Sequence, residues 1–334
     1  MEIMMKELYR LIDSLDMNRK HELVTVTGGA HAGLKLLLTD GEVIWSSDPA
    51  CSDIPEKARP ESVFRERLTH AVRLVVCGCG YVGQSVIRLA KFLGWNVTAL
   101  DDREEFVSMA RLAGADEVIC GPFGETIPKT ASYSSTCYVV VTREHRYDRE
   151  CLDAILAREP GYVGMMGSHT RSDRMRQSLA ESGVDKEKIA RIHAPVGLEI
   201  GAVTPQEIAV SIIAQIMQEK AKFLQGSAFS PDLMAALKEE GPDGSHAILA
   251  LITAQRGSTP REAGARMLVY PDGKTVGTIG GGLMEAEVIR RALQSLEDPS
   301  SFRPYTITID MSGRPGSMKD MVCGGVTDVF LELL

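Results

Sequence analysis

The sequence predicts an α/β protein. A doubly wound parallel sheet fills the middle of the chain, a smaller α+β module with glycine loops follows it, and a reduced copy of that module precedes it. Three observations predict this. Residues 72–103 read as strand, glycine turn, helix, strand and acid; strand and helix signals then alternate as far as residue 193; and a glycine-led apolar strand ahead of an Asp-Gly turn occurs near both ends. The expected domains are residues 1–60 for the reduced copy with its linker, 61–226 for the parallel sheet and 227–334 for the full module.

The central fold starts at Val72, Leu74, Val75 and Val76, an apolar run that reads as a buried strand. Gly78, Gly80 and Gly83 follow in G-x-G-x-x-G spacing, and Ser85 to Leu93 has helical periodicity. In such a turn the first glycine permits the bend, the second lets a phosphate approach the backbone, and the third lets helix and strand pack closely. The helix N-terminus adds unpaired amides and the positive end of its dipole. A second strand, Asn96 to Leu100, ends at Asp101, about 20 residues after the turn, where an acid accepts hydrogen bonds from a ribose diol. That combination is a Rossmann-type unit. Strand candidates at Glu117 to Cys120, Cys137 to Thr142, Tyr162 to Met166 and Ala190 to His193 alternate with helices at Glu104 to Leu112, Asp148 to Ala157 and Arg171 to Ser182, which extends the parallel sheet. Thr204-Pro205-Gln206-Glu207 is a capping box with proline at the first helical position. The helix after it is apolar nearly all round (Ile208, Val210, Ile212, Ile213, Ile216, Met217), so burial on more than one side is expected.

The flanking segments match each other. Met4, Leu8, Leu11, Ile12 and Leu15 predict an amphipathic helix, followed by a strand at Leu23 to Thr27 and a hairpin of Leu34 to Leu38 and Glu42 to Trp45 about Asp40-Gly41. Pro49 to Pro60 reads as a linker or surface loop. Beyond a break at Gln225 to Ser230 come a helix from Pro231 to Leu237, a strand at Ala247 to Thr253, and strands at Ala265 to Tyr270 and Lys274 to Ile279 about Asp272-Gly273. Ala32 to Leu38 aligns with Ala263 to Val269, so the N-terminal segment reads as an abbreviated copy that completes or mirrors the second sheet. Two glycine stretches have no N-terminal counterpart: Gly280-Gly281-Gly282, ahead of a helix from Leu283 to Leu296, and Cys323-Gly324-Gly325, ahead of a strand from Val326 to Leu333. Three glycines at a helix start form a nest of donors for an oxyanion. Gly257-Ser258-Thr259-Pro260-Arg261 adds two hydroxyls and a guanidinium.

A net charge of −8 leaves no basic field for nucleic acid or an anionic membrane. The N-terminus lacks a basic head with an apolar core, no run of 18 apolar residues occurs, and seven irregularly spaced cysteines fit free thiols, so a cytoplasmic location is expected.

Four runs in the last third, Gly257 to Arg261, Gly264 to Met267, Gly280 to Glu285 and Met321 to Gly325, resemble the motifs of the xanthine dehydrogenase accessory proteins of the XdhC and CoxI type. In the middle domain the matching runs are Asp101-Asp102-Arg103, Thr142 to Asp148, Gly164 to Ser168, Ala194 to Gly201 and Thr204 to Ala209. In that family's usual order the glycine-loop module comes first; here it comes last, and Arg143 stands where many relatives have histidine. The resemblance implies a helper in the maturation of molybdenum hydroxylases. It would bind molybdenum cofactor, as molybdopterin or its dinucleotide form, protect it while a terminal sulfur is installed, and pass it to the apo-enzyme. A cysteine desulfurase is the second expected partner, a homodimer the expected assembly, and a chaperone a better description than a catalyst. The implied contacts are Gly78, Gly80, Gly83, Asp101, Arg103 and Ser168 in the Rossmann domain, and Gly257, Ser258, Thr259, Arg261, Gly280, Gly281, Gly282, Gly324 and Gly325 in the module. The three turns of the module are expected to converge on one pocket facing the nucleotide fold.

Several residues keep two readings. Cys323 is either a contact to molybdenum or sulfur, or a small buried hydrophobe. Cys77 and Cys79 read as small residues in a tight turn. His145, His169 and His193 follow predicted strands at the ligand-binding edge of the sheet, where a loop histidine held by hydrogen bonds is the commoner outcome. Arg171 and Arg174 either clamp phosphate or sit on a solvated face, and Glu285 either orients the glycine loop or, the favoured reading, caps its helix. The Rossmann segment alone also fits an NAD(P)-dependent oxidoreductase or a nucleotide-sensing regulatory module.

Overall fold

A computed structural model describes residues 2–16, 19–51, 62–69, 72–133, 135–223, 229–239, 246–259, 261–311 and 325–334. The chain divides into two compact units, one of residues 1–68 with 226–334 and one of residues 69–225.

Helix α1 (Glu2–Asp13) presents Met5, Leu8, Tyr9 and Ile12 on one buried face. Strands β1 (His21–Val26), β2 (Lys35–Thr39), β3 (Glu42–Ser46) and β4 (Val63–Leu68) form an antiparallel sheet in the order β3-β2-β1-β4. Asp40 and Gly41 both have positive φ, 50° and 89°, as a two-residue hairpin turn requires. Strand β4 has no counterpart among the strands expected from the sequence. Its outward positions are Arg65 and Arg67 and its inward ones Glu66 and Leu68, so charge on both faces hides the two-residue period. Most of the expected linker, residues 52–60, lies outside the described residues.

The second unit is a six-stranded parallel sheet. Its strands are β5 (Arg73–Cys77), β6 (Asn96–Asp101), β7 (Glu117–Cys120), β8 (Thr136–Val140), β9 (Tyr162–Met165) and the two-residue β10 (Ile192–His193), in the order β10-β9-β8-β5-β6-β7. This is the doubly wound Rossmann arrangement, and strand order reverses between β5 and β8. Helices α2 (Tyr81–Phe92), α3 (Glu104–Leu112), α4 (His145–Leu156), α5 (His169–Glu181) and α6 (Pro205–Phe223) cover it. Two apolar layers result. On one face Leu74, Val76 and Val97 pack with Ile212 and Ile216, and on the other Val75, Tyr138 and Val140 pack with Leu152 and Ile155.

Helix α6 is less enclosed than its composition predicts. Ala209, Ile212, Ile213 and Ile216 are buried, but Val210 and Met217 remain 48% and 45% exposed, so one apolar stripe faces outward.

The chain then returns to the first unit through α7 (Pro231–Lys238), β11 (Ile248–Arg256), β12 (Arg266–Val269), β13 (Thr275–Gly277), α8 (Gly282–Leu296), β14 (Tyr305–Asp310) and β15 (Val326–Leu333). The sheet order is β13-β12-β11-β15-β14. Strand β14 is a second strand that the sequence does not announce, although Tyr305, Ile307 and Ile309 alternate with polar residues.

The two halves of this unit are copies of one plan. Leu23 pairs with Leu37 and Glu66, and Leu249 pairs with Leu268 and Glu332, so β1, β2 and β4 correspond to β11, β12 and β15. Gly33 and Gly264, before β2 and β12, share a φ of 95°. The N-terminal copy forms its own sheet and mirrors the C-terminal one. Leu8, Tyr9, Leu23 and Leu37 share a core with Leu233, Leu237, Leu249 and Leu268. Two buried ion pairs cross between the copies: Lys35 Nζ lies 2.9 Å from Glu332 Oε1, and the Arg266 guanidinium bonds the Glu66 carboxylate. The four positions correspond two by two, so each copy gives one cation and one anion. Burial beside these carboxylates pushes the Tyr9 hydroxyl far above its usual pKa. The N-terminal copy lacks any counterpart of α8 and β14 among the described residues. Accordingly, the positions of Leu331 and Leu333, which pack in the apolar layer beneath α8, hold the exposed Arg65 and Arg67.

Candidate functional site

The reversal point between β5 and β8 is built from backbone. A Cβ on Gly83 would stand 2.1 Å from the Gly78 carbonyl oxygen, and one on Gly78 would stand 2.5 Å from that of Val141, so both are glycine because chain segments touch. Gly80 differs: a Cβ there meets nothing within 4 Å. It caps α2 without a side chain, so no capping group of its own stands between the first amides of the helix and an anion.

Asp101 is 1% exposed and its carboxylate is taken up within the protein. The Cys79 amide donates to Oδ2 at 2.8 Å, and Arg103 donates from its amide at 3.1 Å and from Nε at 2.9 Å to Oδ1, and from Nη2 to Oδ2 at 3.1 Å. The Arg103 guanidinium also covers the Phe106 ring at 3.5 Å. Asp101 therefore braces the glycine turn, and Arg103 is the charged group presented beside it.

Next to this pair, Arg143 donates to both oxygens of Asp102 at 2.5 and 2.9 Å and lies 4.3 Å over the Tyr147 ring. The bidentate bond from Arg143 holds the Asp102 carboxyl at about 2, below its usual 3.8. A group depressed on folding stabilises the fold fully above its unfolded value and loses that contribution as pH falls towards its folded value. Asp102→Asn is thus expected to lower the melting temperature near neutral pH, with the gap to wild type closing between about pH 4 and about pH 2. A gap that stayed constant over that range would remove the ion pair as its cause.

Deeper in the crevice, Thr142 donates to Asp148 Oδ1 at 2.5 Å and Arg171 bonds Oδ2. Burial pushes the Asp148 carboxyl above its usual range, against these two partners, which favour the anion. The Arg171 Nε is buried without a hydrogen-bond partner, and its side chain packs on Gly167. Ser168 caps α5 by accepting from the Arg171 amide at 3.2 Å. Asp148 and Tyr147 are residues that the sequence alone does not single out. A signal is present all the same: Asp148 falls in phase with Cys151, Leu152 and Ile155, the buried face of α4. His193 stacks on Tyr162 at 4.8 Å and is structural, His145 and His169 open α4 and α5, and Cys77 and Cys79 are buried as small residues.

In the other unit, the C-terminal ends of β11 and β13 and the N-terminal end of β15 lie at one end of the sheet, which brings the glycine stretches there. A Cβ on Gly325 would stand 2.3 Å from the Ser258 carbonyl oxygen, so these two turns touch. Thr259 donates to Gln255 at 2.5 Å, and Arg261 is exposed. The Gly280 to Gly282 turn has φ of 134°, 74° and 64°, and its donors are met from within: Glu285 Oε2 accepts from Ile279 and Gly281 amides at 3.2 and 3.0 Å and from the Thr278 hydroxyl at 2.6 Å. Burial raises the Glu285 pKa, but these bonds outweigh it and the carboxyl ends below its usual value. Glu285 both caps α8 and fills the turn. Pro260, Cys323 and Gly324 lie outside the described residues.

Comparison with known proteins agrees with this architecture. The XdhC Rossmann domain profile matches residues 74–216, and that of the XdhC and CoxI family matches residues 242–306. The chain is 31% identical over 160 residues to the uncharacterized protein YqeB of Escherichia coli, covering 48% of this chain and 29% of that protein. It is 25% identical over 169 residues to a protein of Bacillus subtilis described as a probable xanthine dehydrogenase subunit, covering 51% and 49%. The chain thus spans less than a third and about half of these curated relatives. A crystal structure described as a xanthine dehydrogenase from Bacillus halodurans shares the fold, with a TM-score of 0.52 at 23% identity over 65% of this chain and 66% of that one. No described helix is long and apolar enough to cross a membrane. With both of its domains matched in one chain and the parallel sheet in place, this protein belongs to the XdhC and CoxI family.

Proposed function

We propose that the chain is a cytoplasmic accessory protein in the maturation of a molybdenum hydroxylase of the xanthine dehydrogenase type, with molybdenum cofactor as its cargo. Family membership supports the accessory role, and one observation supports the cargo: α2 starts at Gly80 with no capping side chain, next to Cys79, whose amide shares the Asp101 carboxylate with the Arg103 guanidinium. A pterin with a phosphate or dinucleotide tail is an anion of the kind such a turn receives. Arg143 and Arg171, both tied to carboxylates, add oriented positive charge at the same strand ends. Sulfuration would need a cysteine desulfurase, and delivery the apo-hydroxylase; Ser258 and Arg261 are exposed polar groups of the module for either step, with Thr259 held between them. An NAD(P)-dependent oxidoreductase has less support, since the Asp101 carboxylate that would read a ribose diol already accepts four hydrogen bonds.

The test uses Gly80→Ala, which has room for its Cβ and a φ of −66° that any residue adopts, yet hinders close approach of phosphate. Wild type incubated with molybdopterin and desalted is expected to retain it, and the variant to retain at least tenfold less at an unchanged melting temperature. Equal retention would exclude the turn as the holding site, and no retention by wild type would defeat the proposal.

A further inference from the structure

The internal repeat shows a strand, β14, that has no counterpart among the described residues of the N-terminal copy. In the C-terminal copy β14 pairs antiparallel with β15, Tyr305 against Leu331 and Ile307 against Val329. In the N-terminal copy the strand corresponding to β15 is β4, whose Val63 and Arg65 stand at the positions of Val329 and Leu331. Among the described residues no strand pairs with the far side of β4. Phe64 is half-buried where its counterpart Phe330 is fully enclosed, which agrees with an uncovered edge. Unpaired edges accept added strands, and proteins guard them with outward charge, here Arg65, whose guanidinium also reaches Glu22 of β1 at 3.5 Å, and Arg67.

The repeat also fixes what lies beside that place. The start of β14 sits against the first turn of the N-terminal copy: Thr306 donates to the Thr27 carbonyl at 3.1 Å, and a Cβ on Gly33 would meet Pro304 at 3.0 Å. Thr27 and Gly33 correspond to Thr253 and Gly264, because Gly33 bonds Val26 as Gly264 bonds Ile252. A strand added to β4 in the manner of β14 would therefore begin against the turn that holds Gly257, Ser258, Thr259 and Arg261. Glu66, next to Arg65, already bonds Arg266 two residues past Gly264, so β4 and this turn are neighbours.

We propose that the edge of β4 receives an extended segment of a client protein, acidic at alternate positions opposite Arg65 and Arg67 and β-branched or apolar at the positions between, and so brings that client to the Thr253 to Gly264 turn. Identifying the client as the hydroxylase rests on the proposed function; the edge itself does not. A second copy of this chain fits less well, because antiparallel pairing of two β4 strands sets arginines of both copies together.

Hydrogen exchange on the full chain tests the edge first. The outward-facing amides of residues 62–67 are expected to exchange freely while those of 305–310 and 326–331 are protected; uniform protection of 62–67, or protection that appears with self-association in sedimentation, would overturn the proposal. The second step adds a synthetic peptide copying residues 303–310 with aspartate in place of Arg303 and Tyr305. It should protect residues 62–67, and the R65E/R67E variant, changed only at exposed positions, should bind it at least tenfold more weakly with the Thr253 to Gly264 turn otherwise unaltered. Protection elsewhere, or equal binding by the variant, would refute the site. Neither step depends on cofactor retention, so the two proposals fail separately.

Discussion

Replacing Glu66 by leucine is expected to destabilise the first unit by about 3–5 kcal/mol, the cost of leaving a buried charge without its partner. Glu66 and Arg266 are each 3% exposed, and Arg266 has one other acceptor, the Gly264 carbonyl at 2.8 Å. Water cannot reach the orphaned guanidinium, so the fold bears most of the desolvation penalty. Glu66→Leu with Arg266→Met together should recover most of the loss, since apolar groups of similar volume replace a buried pair at little cost. Lys35 and Glu332, 2% and 5% exposed, should behave alike because they occupy the corresponding positions. Trp45 and Trp95 lie in different units, so urea unfolding followed by Trp45 fluorescence in a Trp95→Phe background reads the first unit alone. A double variant no more stable than the single would show that the residues act through shape and not charge.

Gly83→Ala should be the most damaging single-methyl change in the second unit, and Gly80→Ala close to neutral. The added carbon at position 83 would meet the Gly78 carbonyl at 2.1 Å, a backbone atom that moves only if α2 lifts off the turn. Losing that packing is expected to cost about 3 kcal/mol or more, the upper end for overfilled interiors. At position 80 the space is open, and alanine fits. Trp95 follows α2 and reports on this unit, so the two variants can be ranked by its unfolding midpoint. Equal midpoints would mean that the turn relaxes freely and that its glycines have no packing role.

The central sheet is legible in the sequence because its inner strands β5, β6, β8 and β9 are largely buried on both faces and read as apolar runs between glycine-marked turns. The repeat is legible through Gly33 and Gly264 and the two Asp-Gly hairpins. Strand β4 is not, because an arginine pair replaces its outer apolar face and a paired glutamate its inner one; only the partner residue 200 positions away explains Glu66. At the site, sequence finds the glycines and both roles of Glu285 but not the role of Asp101. Spacing locates a carboxylate, whereas only geometry shows that Arg103 and the turn amides already satisfy it.

The crossed ion pairs also set an order of events during synthesis. The first unit needs β15 for its core and for the Glu332 that neutralises Lys35, whereas residues 69–225 carry their own core and can close as soon as they leave the ribosome. Until residues 233–268 emerge, the opening segment must keep Leu8, Leu23 and Leu37 from unrelated contacts, a long wait for so apolar a surface. The nascent chain, not the finished protein, is therefore where this architecture is most exposed to aggregation.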